Sequence, residues 1–273
     1  MNEVIVSGSF DNLRAPHFRF LDEASKLGQV HVLLWSDNIV RLLEGSDPRF
    51  PFEERLYFVQ ALRYVSKVTC VDELVDGDTL PSLPPVTKGD TRAWVVPAAE
   101  DTVGRWEYCQ ANGLTYQVIG PEQMEGFPVY PPATTAGRKK VVVTGCYDWL
   151  HTGHVRFFEE CAQFGDLYVI VGNDANVENL KGCGHPMFPE NERRYLVQSI
   201  RYVAQGLITS GWGWMDAEPE IEVLKPDIYV VNEDGDRPEK RAFCAEHGLE
   251  YVVLKRTPRP GLQRRESTKL RGF

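Results

Sequence analysis

His151 and His154 are separated by two residues, the second of which is Gly153, and they follow closely on the apolar run of residues 141–143. Imidazole N–H groups can donate to phosphate oxygens, and residues three apart at the start of a helix share one face. A helix N-terminus adds free N–H groups and a partial positive charge. The pattern predicts a site for a phosphate-bearing ligand. A pair of satisfied surface histidines and a two-histidine zinc site are the alternatives.

The chain contains this pattern twice, as GSFDNLRAPH at residues 8–17 and as GCYDWLHTGH at residues 145–154. Arg14 in the first copy stands where His151 stands in the second. Further matches follow in the same order, namely Phe-Pro at 50–51 and 188–189, Glu-Arg at 54–55 and 192–193, and Leu/Ile-Arg-Tyr-Val at 62–65 and 200–203. A repeat of this length predicts two related domains.

The repeat predicts domains at residues 1–127 and 139–273, joined by a proline-containing linker at 128–138. In each half, short apolar runs alternate with segments of helical periodicity. This alternation predicts an α/β fold with two tandem Rossmann-like parallel-sheet domains. The positioning elements of the second half are predicted as strands at 140–144, 167–172, 207–209, 228–231 and 251–254, and as helices at 155–164, 191–203 and 238–247.

The composition limits the classes of ligand. The net charge of −9 argues against a general nucleic-acid partner. No apolar run is long enough to span a membrane, and the first residues match a strand rather than a signal peptide. Six cysteines lack the C-x-x-C spacing, so we expect reduced thiols, no metal site and a cytoplasmic protein.

The second half resembles the cytidylyltransferase family of nucleotidyltransferases, especially those that act on phosphocholine, phosphoethanolamine and glycerol phosphate. The tandem arrangement resembles the phosphoethanolamine cytidylyltransferases. The residues that carry the resemblance are GCYDWLHTGH at 145–154, Lys-Gly at 181–182, Glu-Asn-Glu-Arg at 190–193, Ile-Arg-Tyr-Val at 200–203 and Arg-Arg-Glu-Ser-Thr at 264–268. The His-x-Gly-His motif alone also occurs in adenylyltransferases, whereas the ordered set is specific for the superfamily.

The resemblance implies that a substrate phosphate attacks the α-phosphorus of a nucleoside triphosphate, which arrives with Mg²⁺, and that pyrophosphate leaves. His151, His154 and Lys181 are the implied catalytic residues. The implied nucleotide-binding residues are Gly145, Cys146, Tyr147, Asp148, Gly153, Arg193, Asn232, Asp234, Arg264, Arg265, Ser267 and Thr268. Either Arg256 or the Arg264–Arg265 pair takes the role of the family's arginine. Trp212 and Trp214 are expected either on the substrate side or in the core.

The first half departs from the pattern at three places. Arg14 replaces His151, Glu44 replaces Lys181, and residues 120–126 replace the Ser-Thr segment. This half is therefore expected to be inactive and to serve as a built-in partner of the second, in a chain that is a monomer or a homodimer.

The leading hypothesis is transfer of CMP from CTP to a small phosphorylated alcohol or sugar. Transfer of an adenylyl group from ATP, as in heptose-phosphate or FMN-using relatives, is the alternative within the same class. A catalytically silent nucleotide sensor or scaffold is the alternative from a different class.

Overall fold

The computed structural model describes residues 2–74, 76–85 and 89–270. The chain divides into two compact units, Met1–Gly126 and Phe127–Phe273. Among the described residues, no helix combines the length and the apolar character needed to cross a bilayer.

The first unit alternates strands and helices. In chain order they are β1 (Asn2–Gly8), α1 (Ala15–Ser25), β2 (Gln29–Trp35), α2 (Asp37–Glu44), α3 (Phe52–Gln60), β3 (Val65–Val71), β4 (Thr91–Pro97), α4 (Val103–Asn112) and β5 (Thr115–Ile119). Short 3-10 turns lie at Ala98–Glu100 and Pro121–Met124. Over the described residues the strands form one parallel sheet in the order β3-β2-β1-β4-β5.

The second unit repeats this plan. Its elements are β6 (Lys140–Gly145), α5 (Thr152–Cys161), β7 (Asp166–Val171), α6 (Asp174–Lys181), α7 (Glu190–Gln198), β8 (Val203–Ile208), α8 (Glu218–Leu224), β9 (Ile228–Asn232), α9 (Pro238–Glu246), β10 (Glu250–Leu254) and α10 (Ser267–Leu270). Further 3-10 turns lie at Gly213–Met215 and Glu233–Gly235.

The two sheets have the same topology. The second runs β10-β9-β6-β7-β8, again with parallel neighbours, so its first strand in the chain is also central. Even a register irregularity recurs, between Val30 and His31 in β2 and between Leu167 and Tyr168 in β7. The predicted α/β fold with two Rossmann-like halves is confirmed. In parallel sheets of this kind, ligands bind beyond the carboxyl ends of the strands, at the switch point where the strand order reverses. In this sheet the switch point lies between β6 and β9.

The core of the second unit explains why its central strands are continuous apolar runs. All six residues of β7 are buried, as expected for a parallel strand that helices cover on both faces. One buried cluster joins the sheet to α8 and α9, with Val142 and Tyr229 from the strands, Ile221 from α8 and Cys244 from α9.

Four sequence predictions need correction. Helix α6 was missed because its sequence is largely polar; Asn173 caps it by accepting from the main-chain N–H of Asn176. Helix α8 was also missed. The helix predicted at 191–203 ends at Gln198, and β8 begins at Val203 rather than at residue 207. The apolar pattern of α7 continues through the turn that joins it to β8, so the sequence did not mark where the helix ends.

Phe127, predicted as the last residue of the first domain, and the start of the segment predicted as a linker pack on the second unit. Arg194 donates to the carbonyl of Phe127 at 2.9 Å, and the amide of Gln198 donates to the carbonyl of Tyr130 at 3.1 Å. The ring of Phe127 lies 5.8 Å from that of Tyr195. Phe127 and the start of the predicted linker therefore belong to the second compact unit.

Candidate active site

A cavity of about 470 Å³ opens at the carboxyl edge of the second sheet, between the end of β6 and the start of α5. Its polar and charged lining comes from several elements. Those residues are Thr144, Cys146, Tyr147, Asp148, His151, His154, Lys181, His185, Asn232, Asp234, Lys240, Arg256 and Ser267. Gly145 and Gly153 also line it. The structure thus brings most of the predicted site residues together.

His151 and His154 lie side by side at the start of α5. Their ring centroids are 4.0 Å apart, and His151 is 3 % exposed. His151 Nδ1 accepts from the main-chain N–H of Gly153 at 3.0 Å, so in the neutral ring the proton is on Nε2. That Nε2, and Nδ1 of His154, are buried and have no hydrogen-bond partner among the described residues. Buried unpartnered nitrogens facing a cavity indicate a ligand that supplies the missing oxygens.

Both histidines are electrostatically poor bases in this environment. Burial is the main cause that lowers the pKa of His154 to about 3, and the nearby charges of Arg256 and Lys181 add to it. Burial also holds the pKa of His151 well below its usual range, followed by the effects of His154 and Arg256. The pair is therefore neutral at neutral pH, and each ring offers one N–H.

Gly153 lies against the imidazole of His151 at the start of α5. A Cβ at this position would lie 2.8 Å from Cε1 and 2.9 Å from Nδ1 of His151. Distances under 3.0 Å are too short for a real Cβ. The absence of a side chain at Gly153 therefore leaves room for the imidazole of His151.

Tyr147 packs against His154 of the histidine pair. Its backbone has a φ of +52°, in the left-handed region, and its ring lies 5.3 Å from those of His154 and Phe158. A Cβ on Gly145 would lie 2.9 Å from Cζ of Tyr147. Gly145 is thus needed because the tyrosine ring lies against its backbone. Burial raises the pKa of the Tyr147 phenol, so the group stays protonated.

Asp148 is used to hold a loop. Its Oδ1 accepts from the main-chain N–H groups of Met187 at 2.7 Å and Phe188 at 3.1 Å. In the first unit, Asp11 accepts in the same way from Arg49 and Phe50. Because both halves keep this arrangement, the aspartate of the repeated motif fixes the loop that leads into α3 or α7.

Arg193 lies outside the cavity lining, contrary to the phosphate-binding role that the sequence implied. It is 0 % exposed. Its side chain donates to the carbonyls of Phe188 and Cys146, at 2.8 and 2.7 Å, and to the carboxylate of Asp174 at 2.6 Å. Arg55 makes the equivalent bonds in the first unit. The arginine therefore connects three loops at the edge of the sheet, a structural role that both halves share.

The cations that do line the cavity come from three elements. Lys181 is the last residue of α6, and it is exposed. Arg256 follows β10 and pairs with Asp234 at 2.5 Å. Lys240, on α9, was not identified from the sequence; the signal that could have found it is the repeat, which places Arg105 at the same position of α4.

The C-terminal segment lies partly beside the main cavity. Arg264 and Arg265 line a smaller adjoining cavity together with Arg256 and Asn232, so it is Arg256 that reaches both. Ser267 begins α10, and its hydroxyl donates to the carbonyl of Trp149 at 3.3 Å. Thr268 follows in α10, but its side chain lies outside the described part of the structure.

Trp212 and Trp214 are surface residues, and neither fills the core. They are 62 % and 68 % exposed and do not belong to the described cavity lining. The guanidinium of Arg237 lies 5.6 Å from the ring centroid of Trp214. Of the two expectations, core filling is excluded, and a substrate-side role stays a prediction.

The corresponding cavity of the first unit has a different character. It measures about 600 Å³ and has Glu44 where the second unit has Lys181. Arg14 stands where the second unit has His151, so the start of α1 has a single histidine, His17, whose Nδ1 accepts from the main-chain N–H of Arg14. Much of the lining is apolar, with Phe10, Phe20, Trp35, Leu43, Val95 and Val96 among its members.

The carboxylates of the main cavity are poorly placed to hold a metal ion. Asp148 is bonded to main-chain N–H groups, and Asp234 is paired with Arg256. Elsewhere, Glu218, Glu222 and His247 each bring one donor atom within 4.8 Å of the others, on an exposed surface. Exposed groups of this kind are common without an ion.

Comparison with known proteins finds similar chains, mainly for the second half. The cytidylyltransferase-like family model matches residues 142–257. The chain is 36 % identical over 119 residues to "FAD synthase" of Ferroglobus placidus, which covers 43 % of this chain and 75 % of that protein. It is also 36 % identical over 100 residues to "Bifunctional protein HldE" of Nitratiruptor sp.. That match covers 36 % of this chain and only 21 % of the length of that protein. A crystal structure of a lipopolysaccharide core biosynthesis protein from Thermoplasma volcanium matches 44 % of this chain and 98 % of its own, with 26 % identity and a TM-score of 0.38.

Proposed function

The chain belongs to the cytidylyltransferase-like family and is a nucleotidyltransferase, and from this we propose that its second half joins a nucleotidyl group to a small phosphorylated acceptor. The observation that carries the proposal is the pair of buried, unpartnered nitrogens on His151 and His154, which face a cavity lined by cations. As an enzyme of this family, the chain is not the silent nucleotide sensor that the sequence also allowed.

In the proposed reaction, an oxygen of the acceptor phosphate attacks the α-phosphorus of a nucleoside triphosphate. The new P–O bond forms as the bond to the bridging oxygen of the β-phosphate breaks, and pyrophosphate leaves with that electron pair. The protein forms no covalent bond. Its contribution is to position the two phosphates and to stabilise the charge that builds up on the leaving group.

The histidine pair is suited to donate hydrogen bonds to phosphate oxygens. Nε2–H of His151 and the imidazole of His154 are aligned by their stacking and by the bond from Gly153. Both rings are neutral in the free protein, so each has one N–H to donate. Donors that are fixed before substrate binds stabilise a transition state at little cost in reorganisation.

Lys181 and Arg256 are proposed to compensate the charge of the triphosphate. Both line the cavity, and the charges of both lower the pKa of His154. Ser267, at the start of α10, also lines this cavity and adds a hydroxyl. Arg193 is assigned to holding the surrounding loops.

Mg²⁺ is expected to arrive bound to the triphosphate. The carboxylates of the cavity do not fit as its ligands, because Asp148 and Asp234 are bonded to the protein. No side chain of the cavity is therefore assigned as a ligand of the ion. The ion supplies charge neutralisation to the phosphates that carry it.

ATP is the first candidate donor, because FAD contains an adenylyl group and the relative from Ferroglobus placidus is named an FAD synthase. CTP, which the motifs of the second half suggested, is the second candidate. The acceptor is proposed to be a phosphorylated small molecule, with FMN and sugar or alcohol phosphates as the first to be tested.

A screen for pyrophosphate release tests the proposal. Purified protein with Mg²⁺ is given ATP or CTP, each with FMN, glycerol 3-phosphate, phosphocholine or a hexose 1-phosphate. Release that needs both a nucleotide and an acceptor, and that is lost in His154→Ala, supports the proposal. Release without an acceptor, or equal release by His154→Ala, contradicts it.

A further inference from the structure

Lys240 occupies a position that the repeat reserves for a cation. It stands in α9 with its ammonium nitrogen 5.5 Å from the ring centroid of Tyr229 in β9. In the first unit, the guanidinium carbon of Arg105 in α4 lies 5.5 Å from the ring of Trp94 in β4. Each cation precedes the matching cysteine, Cys244 or Cys109, by four residues. Both units thus hold a cation over an aromatic ring at the same place.

The two cations differ in their partners. Arg105 pairs with Glu100 at 3.1 Å and with Asp78 at 3.5 Å, and it also donates to the carbonyl of Gly77. Lys240 has no carboxylate within 4.0 Å and no hydrogen-bond acceptor in the part of the chain that the structure describes. Its charge faces the cavity of the histidine pair. The first unit therefore neutralises this cation internally, and the second does not.

An unpaired cation in a half-buried position has a physical cost. Burial lowers the pKa of Lys240, while the more distant charge of Asp216 acts in the opposite direction. A partly buried ammonium loses hydration that a ring face replaces only in part. A position of this kind is explained when a ligand supplies the missing anion.

Lys240 and Lys181 approach the cavity from the two sides of β6. Helix α9 follows β9, helix α6 follows β7, and both strands neighbour β6 in the sheet. The other lining cation, Arg256, is already paired with Asp234. Among the described residues, Lys181 and Lys240 are hence the lysines of this lining without a protein anion.

We propose that Lys240 binds a phosphoryl group of a substrate in the cavity of the second unit. The inference rests on the proposed function, since it is the same site, and it adds a contact that neither the motifs nor the family resemblance identify. A triphosphate and a phosphorylated acceptor offer the same chemistry, so the experiment has one arm for each. The first unit, with Arg105 neutralised and Glu44 in place of Lys181, lacks this contact.

The test compares Lys240→Met, which keeps the length of the side chain but removes its charge, with Lys240→Arg, which keeps the charge. Arg105→Met is the matched control at the equivalent position. Binding of ATP, pyrophosphate and glycerol 3-phosphate is measured by calorimetry without turnover. We expect Lys240→Met to weaken at least one of them by about 10-fold or more, with Lys240→Arg and Arg105→Met within about 3-fold of the wild type.

The pattern of loss identifies the phosphate. Weaker binding of ATP and pyrophosphate alone assigns Lys240 to the nucleotide, and weaker binding of glycerol 3-phosphate alone assigns it to the acceptor. Unchanged binding of all three by folded Lys240→Met overturns the inference. If that variant does not fold, the NMR signal of the Lys240 side chain in the wild type, assigned from Lys240→Arg, must shift on addition of pyrophosphate; an unmoved signal overturns the inference equally.

The outcome is separable from that of the proposed function. Wild-type protein that binds pyrophosphate but releases none in the screen would contradict the function and leave the Lys240 contact testable. Active wild-type protein with unaltered binding in Lys240→Met would contradict only the Lys240 contact.

Discussion

The imidazole rings of His151 and His154 stack with their centroids 4.0 Å apart and their planes inclined by 29°. Two charged imidazolium rings would repel each other at this distance, and burial keeps both pKa values low. The start of α5 therefore presents two neutral rings with unpartnered buried nitrogens. We therefore expect the pair to act as fixed hydrogen-bond donors rather than as a general base.

Replacing His154 by alanine is expected to lower turnover by about 10²-fold or more, the scale of losing one donor to a transition state. His17→Ala is the matched control, because His17 is the counterpart of His154 in the first unit. Its effect on turnover should be small. Steady-state rates of pyrophosphate release check both variants. An equal loss in His17→Ala would show that the first half takes part in the reaction.

The low pKa of His154 predicts acid sensitivity. Above about pH 6.5 the ring is neutral in both the folded and the unfolded chain, so it does not affect the pH dependence. Between about pH 6.5 and the folded value of about 3, the unfolded chain binds the extra proton. The free energy of unfolding should therefore fall as the pH falls through this window.

Denaturant unfolding of wild type and His154→Gln at about pH 7 and about pH 5 measures this contribution. Glutamine does not titrate, so the variant should lose less of its free energy of unfolding over that interval. Parallel losses in the two proteins would mean that other groups cause the acid sensitivity.

The fold was predictable from sequence because two independent signals agreed. The repeat gave the two domains, and continuous apolar runs such as β7 gave buried parallel strands. Helix α6 was not predicted, because Val177 and its few apolar neighbours form too short an apolar stripe to show helical periodicity. Its N-cap Asn173 was the available local signal.

The site was predictable in position but not in the direction of each side chain. His151 and His154 follow β6, and Lys181 ends the helix that follows β7. Because β6 and β7 are neighbours in the sheet, all three residues line one cavity. Arg193 stands in an equally well-matched motif, yet it turns into the protein to bind main-chain carbonyls. A motif gives the position of a residue in the chain, whereas packing determines which way an arginine points.

Arg193→Lys is expected to destabilise the protein by roughly 3 kcal/mol, because lysine cannot make the forked bonds to several buried acceptors. Arg55→Lys in the first unit removes the equivalent bonds and serves as the matched comparison. Thermal or denaturant unfolding gives the stability, and calorimetry gives the affinity of the folded protein for ATP. If Arg193→Lys is as stable as the wild type but binds ATP more weakly, the expectation is contradicted. Arg193 would then have the phosphate-binding role that the sequence implied.

Gly153→Ala separates two reasons for this glycine. A Cβ here would lie 2.8 Å from Cε1 of His151, so the ring must move. Turnover should then fall by about 10-fold or more, since small displacements of an aligned group are costly. Stability should hardly change, because alanine is favourable within a helix.

A double-mutant cycle with His151→Ala decides between the reasons. If the clash with His151 is the cause, Gly153→Ala should cost little once the imidazole is absent, and single-turnover rates of the four proteins will show strong coupling. If the glycine instead lets a phosphate approach the backbone of residue 153, the added methyl group should cost the same factor in both backgrounds. Unfolding curves for all four proteins ensure that rates are compared on folded enzyme.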